Sequence, residues 1–173
     1  MFLSNFAELM RNILENSRQS MISLNEEINT LKLYTELEQL RLKNKFNFEI
    51  KIDPDLDPEE VFIPPMLIQP FVENAIKHGL IKNNDKGNLE IAFKKDEKML
   101  VCSVIDDGIG RKEAEKNKQQ EHRSLGMQVT RERLDTINKQ FKSNASFNII
   151  DLEDKNGAAT GSHVDIILPF EEE

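Results

Sequence analysis

Glu73, Asn74, Lys77 and His78 place a carboxylate, an amide, an amine and an imidazole within six residues, in Pro70-Phe-Val-Glu-Asn-Ala-Ile-Lys-His-Gly79. On a helix, positions three and four apart are neighbours, so these four share one side, and Phe71, Val72, Ala75 and Ile76 face a core. Magnesium takes hard oxygen ligands and keeps several waters, so the Asn74 amide oxygen with phosphate oxygens makes a workable shell. Glu73 is then the candidate general base, able to polarise an attacking imidazole or water. Lys77 and His78 are candidates for phosphate contacts. A plainer alternative stands beside this: a solvated Glu73–Lys77 ion pair with Asn74 as a surface amide. The neighbouring motifs favour the first.

Asp106-Asp107-Gly108-Ile109-Gly110 closes the apolar run Met99 to Ile105, placing the Asp106 carboxylate at the mouth of a pocket. A carboxylate only accepts hydrogen bonds, so it can take the exocyclic amine of adenine and repels the carbonyl that guanine presents there. Gly108 and Gly110 let the backbone approach a flat base and adopt positive φ. Ser162, before the strand His163 to Leu168, can bring a hydroxyl to the same place. Residues 111–123 lack an apolar face and carry five basic against three acidic side chains, in a chain of net charge −8. Arg123, Ser124, Leu125, Gly126 and Met127 then lead into a helix N-terminus expected at Gly126, where backbone N–H groups and the dipole favour anions. Residues 111–125 therefore suit a lid over phosphates. Arg131 and Arg133 read as surface or interface ion pairs, His163 as a partly exposed structural residue and His122 as solvated.

These residues need elements to hold them. Phe2, Phe6, Leu9, Met10, Ile13 and Leu14 recur at helical spacing over residues 1–19. Ser23 with Glu26 reads as a capping box opening a second helix near 24–43, striped by Leu24, Ile28, Leu31, Tyr34, Leu37 and Leu40. Together they make a helical arm with an apolar surface left to pair. Asn47 to Ile52 alternates like a strand. A helix is expected from Ile63-Pro64-Pro65, bent at Pro70 and stopped by Gly79. Leu89–Phe93 and Met99–Ile105 form a hairpin. A helix over Gly126–Phe141 and strands at 147–150 and 163–168 complete the order. It implies an α+β architecture, a two-layer α/β sandwich with helices on one face of a mixed sheet, preceded by the arm. The units are 1–45 for the arm and 46–173 for the sandwich.

Composition narrows the function. Charged residues form 31% of the 173, and the acidic balance argues against bulk nucleic-acid binding. Ten Phe can fill a core. Cys102 is the only cysteine, which rules out an intrachain disulfide and reads as a buried strand thiol. No apolar stretch approaches the length of a membrane span, about 20 residues, and no signal peptide is evident, which reads as cytoplasmic.

Leu67-Ile-Gln-Pro-Phe-Val-Glu-Asn-Ala-Ile-Lys-His-Gly79 resembles the N box of the ATP-binding catalytic domain of sensor histidine kinases. That domain belongs to the GHKL superfamily, with gyrase-type and chaperone ATPases. Asp106 to Gly110 resembles its first glycine box, with Asp107 where Asn is usual. Ser124-Leu-Gly-Met127 followed by Arg131-Glu-Arg-Leu134 resembles the second, with Ser in place of its first glycine. Gly161-Ser-His-Val164 through Pro169 is similar to the closing strand. The Gln-Pro-x-Val-Glu-Asn-Ala and Arg-Glu-Arg-Leu patterns are most similar to the LytS-like subgroup, and the likeness covers about 46–170.

The resemblance implies a Bergerat-type ATP-binding fold, Mg2+ and ATP as ligands, and transfer of the γ-phosphate to a histidine. By it, Asn74 holds magnesium, Glu73 is the base, Asp106 selects adenine and 111–125 closes on the phosphates. It also implies a response regulator and a histidine-bearing dimerisation domain as partners, a homodimer in the full-length protein, and membrane attachment only through segments outside this chain. The subgroup's acceptor histidine lies upstream of the matched region, and no histidine precedes His78. The chain is thus expected to bind ATP without phosphorylating a histidine of its own. Rival readings are a related ATPase or serine kinase of the same fold, and a non-catalytic interaction module.

Overall fold

The computed structural model describes residues 2–81, 86–110 and 120–172, with the backbone alone described for 2 and 120–125. In chain order the elements are α1 (Phe2–Asn16), β1 (Ile22–Ser23), α2 (Leu24–Arg41), β2 (Phe46–Ile52) and β3 (Val61–Ile63). Then come α3 (Gln69–Asn74, continuing as a wider π-type turn over Ala75–Leu80), β4 (Gly87–Asp96) and β5 (Met99–Asp106). Next are α4 (Gln120–Phe141), β6 (Ser146–Glu153), β7 (Ala159–Pro169) and β8 (Glu171–Glu172).

Alternation along the strands builds the main sheet, in the order β2-β4-β5-β7-β6. β2 runs parallel to β4, and the other pairs are antiparallel. Leu89, Ile91 and Phe93 of β4, Leu100, Cys102 and Val104 of β5, and Val164, Ile166 and Leu168 of β7 are all buried on one face. Phe71, Val72, Ile76 and Leu80 of α3 and Leu134 and Ile137 of α4 cover that face. Each fully buried side chain of this size contributes about 1.5–3 kcal/mol through area removed from water. Phe71 meets Phe147 of β6 edge-on at 4.9 Å between ring centroids. The result is the mixed sheet with helices on one face that the element order implies. Leu24, Ile28 and Leu31 of α2 join the same core, and β1, β3 and β8 form a small second sheet beside it.

The Ser23–Glu26 capping box is present: the Ser23 hydroxyl accepts the Glu26 N–H and Glu26 Oε2 accepts the Ser23 N–H. Such a cap contributes about 1 kcal/mol. Leu40, placed on the apolar stripe, is exposed, while Glu27, Thr30 and Thr35 are buried. Burial on α2 therefore wraps round the helix instead of following one stripe.

Several expectations are corrected. Ile63-Pro64-Pro65 does not start a helix. Ile63, before Pro64, is pushed out of the helical region and ends β3, and α3 begins only at Gln69. Pro70 consequently sits in the first turn of α3, where its missing N–H is harmless, and it bends nothing. Gly79 is not a stop. The wide turn continues to Leu80 and is closed by the Ile81 N–H donating to the Ile76 carbonyl at 3.0 Å. The last helix starts at Gln120 and not at Gly126, which leaves Gly126 inside α4, exposed, at a cost of about 1 kcal/mol against alanine. Gly161 and Ser162 lie within β7 and not before it, beside a register shift at Leu152–Glu153. Among the described residues, no helix is long and apolar enough to cross a membrane.

Candidate functional site

Strand parity decides where Asp106 points. It ends β5 two residues after Val104, so its carboxylate enters the helix-covered side and is only 2% exposed. Its Oδ1 accepts the Gly108 N–H at 3.0 Å, and its Oδ2 accepts the Ser162 hydroxyl at 2.5 Å. The β5–β7 register, with Asp106 opposite Ser162, delivers that hydroxyl.

Three glycines pack tightly at this residue and its neighbours. A Cβ on Gly79 would stand 2.4 Å from Asp106 Oδ1, and one on Gly108 would stand 2.4 Å from the Gly79 carbonyl carbon. At Gly161, with φ +135°, a Cβ would meet the Asp106 carbonyl oxygen at 1.9 Å. Only glycine fits these places. Gly108 is thus required by close approach and not by positive φ; of the pair, only Gly110 takes the left-handed region, at φ +73°. The Ile109 N–H also reaches the Gly79 carbonyl at 3.4 Å, tying the glycine turn to α3. Asp107 turns outward and takes the Asn88 backbone N–H and side-chain amide, each at 2.6 Å, which pins the start of β4.

The outer edge of α3 is looser. Glu73 and Lys77 form the i,i+4 ion pair of the plainer reading, with side chains 38% and 47% exposed. Glu73 also faces the arm. Burial, then the charges of Glu38 and Glu73, push the Tyr34 phenol above its ordinary range. Asn74 faces the other way, its amide nitrogen reaching Met127 Sδ of α4 at 3.9 Å. Among the described residues, no hydrogen bond is made to Asn74 Oδ1, which suits an oxygen offered to a hard cation. His78 is half-buried on the same edge. Among the described residues, no three His, Cys, Asp or Glu side chains gather to cage a metal alone.

The structure brings Asp106, Gly108 and Ser162 together beneath Gly79, and sets Asn74 against Met127. The lid expectation falls largely outside the described residues, which exclude 111–119 and the side chains of Arg123, Ser124 and Leu125; the backbone of 120–125 is helical and not the expected loop. Arg133 is not in a surface ion pair. It donates to the Pro65 and Met66 carbonyls at 2.7 and 3.2 Å, and Arg131 lies over the Phe147 ring at 4.6 Å. His163 is partly exposed and bonded to Asp165, and Cys102 is fully buried, its thiol pushed well up by burial.

Reading the sequence missed Glu27, Gly79 as the roof over Asp106, and Gly161 as its wall. A glutamate among the apolar residues of α2 was the one available signal for Glu27. The glycines carried none beyond their identity.

Comparison with known proteins agrees with this picture. The family described as histidine kinase matches residues 1–46. The sensor protein LytS of Bacillus subtilis strain 168 is 36% identical over 100 residues, 58% of this chain and 16% of that relative. The chain therefore spans about a sixth of the relative's length. A mycobacterial sensor histidine kinase, MprB, shares the fold over 88% of this chain and 98% of its own, with TM-score 0.58 at 13% identity. Histidine kinase ThkA, solved in complex with response regulator protein TrrA, superposes over 96% of this chain and 48% of its own, with TM-score 0.53 at 18% identity. The sequence is related to LytS sensor kinases, and the fold is that of a histidine kinase catalytic domain.

Proposed function

We propose that this LytS-related chain is the ATP-binding catalytic region of a sensor histidine kinase, passing the γ-phosphate of Mg-ATP to a histidine presented beside its arm. The observation that carries the reading is the buried Asp106 carboxylate at the end of β5, roofed by Gly79 and bonded by the Gly108 N–H, with Gly161 packed against its main chain. A buried acceptor lined by bare backbone suits the amine edge of a flat base, which is the adenine end of ATP. Ser162 holds the carboxylate in orientation.

Asn74 offers its amide oxygen to magnesium, and Lys77, His78, Gly110 and the segment 123–127 line the phosphate side. Magnesium, when bound, neutralises charge on the phosphate oxygens. Glu73 faces the arm and acts as base for the acceptor imidazole, and opening its bond to Lys77 frees the carboxylate for that proton. Positioning does most of the work in phosphoryl transfer, so the chain depends on an acceptor brought in line. Leu3, Phe6, Met10 and Leu14 leave an exposed apolar face on α1, which supports the arm, with residues 1–45, as the dimerisation side of a homodimer. The ThkA–TrrA complex supports a response regulator as the downstream partner. The setting we infer is the cytoplasmic part of a membrane-bound sensor.

Calorimetric titration with a non-hydrolysable ATP analogue and magnesium tests this. Binding is expected, with no binding of the guanine analogue. Asp106→Asn is expected to weaken affinity about 10- to 100-fold, the loss of a charged hydrogen bond of about 1.5–3 kcal/mol. Absence of any nucleotide binding would mean an interaction module instead. Phosphate release without transfer to an added histidine-bearing domain would mean an ATPase.

A further inference from the structure

Glu27 of α2 is 1% exposed, and the roles assigned above do not use it. Its Oε2 accepts the Met66 N–H at 3.2 Å, and the Ile68 N–H also bears on the carboxylate. Arg133 of α4 holds the opposite edge of the same loop through the carbonyls of Pro65 and Met66. Met66 takes φ +59°, uncommon for a residue with a side chain, and both of its backbone polar groups are bonded by this pair. The loop feeds directly into α3, which carries Glu73 and Asn74. One carboxylate from α2 and one guanidinium from α4 thus grip the entrance to α3.

We propose that Glu27 and Arg133 are positioning residues for phosphoryl transfer, locking the angle of the arm against α3 through the loop at 65–68. This rests on the kinase reading only for its consequence; the lock itself is a property of the described fold. A misplacement of about 1 Å in such an arrangement can cost on the order of 100-fold in rate.

The groups facing Glu27 are Arg133 from α4, the buried Cys102 thiol from β5 and the two loop amides. Burial outweighs the amides and Arg133 and raises the carboxyl from 4.5 to about 7. A released arm returns it to water. The folded pKa lies above the released one, so the proton favours docking fully below about pH 4.5, and that contribution is lost as pH rises through about 7.

The test uses spin labels on Lys32→Cys in α2 and Lys94→Cys in β4, both exposed, with Cys102 too buried to label. Pulsed dipolar spectroscopy should give a narrow distance distribution at pH 6 that broadens at pH 8. Glu27→Ala should at least double its width at both pH values. Glu27→Gln, which keeps an acceptor oxygen without charge, should stay narrow and lose the pH response. A Glu27→Ala distribution superimposing on the parent, or a pH response surviving in Glu27→Gln, overturns the proposal. Should Glu27→Ala fail to fold, Arg133→Lys, which cannot span both carbonyls, should broaden the distribution, and an unchanged one overturns the lock. Affinity for the magnesium analogue should change less than about threefold in the Gln variant; a larger loss makes Glu27 part of the nucleotide site instead. If the parent binds no nucleotide, the kinase reading fails while the distances still judge the lock.

Discussion

Around Asp106, three glycines leave no room for a side chain, two against backbone and Gly79 against the carboxylate itself, which is almost wholly shut from water. A helical turn away, Glu73, Asn74 and Lys77 lie half in solvent, joined by one surface ion pair and one long contact to sulfur. The Asp106 end, which the proposed function assigns to the base, is fixed by packing. The Asn74 edge, which it assigns to the phosphates, is left able to rearrange. A selective pocket gains from rigidity, because each misfit then costs packing energy. A transfer site needs groups that can change partners during turnover.

Substitutions can break or sharpen that contrast. The largest effect belongs to Gly161→Ala, which adds both a backbone collision and a disallowed φ. It should lose about 3 kcal/mol in urea unfolding. Gly157→Ala, with φ +78° but open space, is the control and should lose about 1 kcal/mol. Equal losses would show that the wall round Asp106 is not tight. Next comes Asn74→Ala, expected to weaken analogue binding about tenfold in magnesium and hardly at all in chelator. Its thermal stability should stay within about 1 kcal/mol of the parent, since the residue is half-exposed. A loss independent of the metal would remove Asn74 as its ligand. The smallest effect belongs to Lys77→Ala, which should cost no more than about 0.5 kcal/mol because exposed i,i+4 pairs contribute little.

Much of the scaffold was legible in the sequence. Period-two burial in β4, β5 and β7 and the Ser23–Glu26 cap follow from side-chain alternation and local hydrogen bonding, which neighbours along the chain specify. Asp106 facing inward follows from the same parity. The start of α3 was misread because Pro64, Pro65 and Pro70 were all assigned to one helix, whereas the strand pairing of Ile22 with Ile63 holds Ile63 extended. Glu27 was illegible because a buried carboxylate on an amphipathic helix makes sense only once Met66 and Arg133 are beside it. Those partners are remote in sequence.

The sequence by itself determined the strand parity, the helix cap and the order of the polar and glycine-rich motifs, because each depends on residues a few positions apart. Tertiary structure alone decided that Gly79 roofs Asp106, that Gly161 walls it, and that Glu27 and Arg133 share one loop. Those facts depend on distances between segments far apart in the chain, and such distances are set only when the core closes and the backbones come into contact.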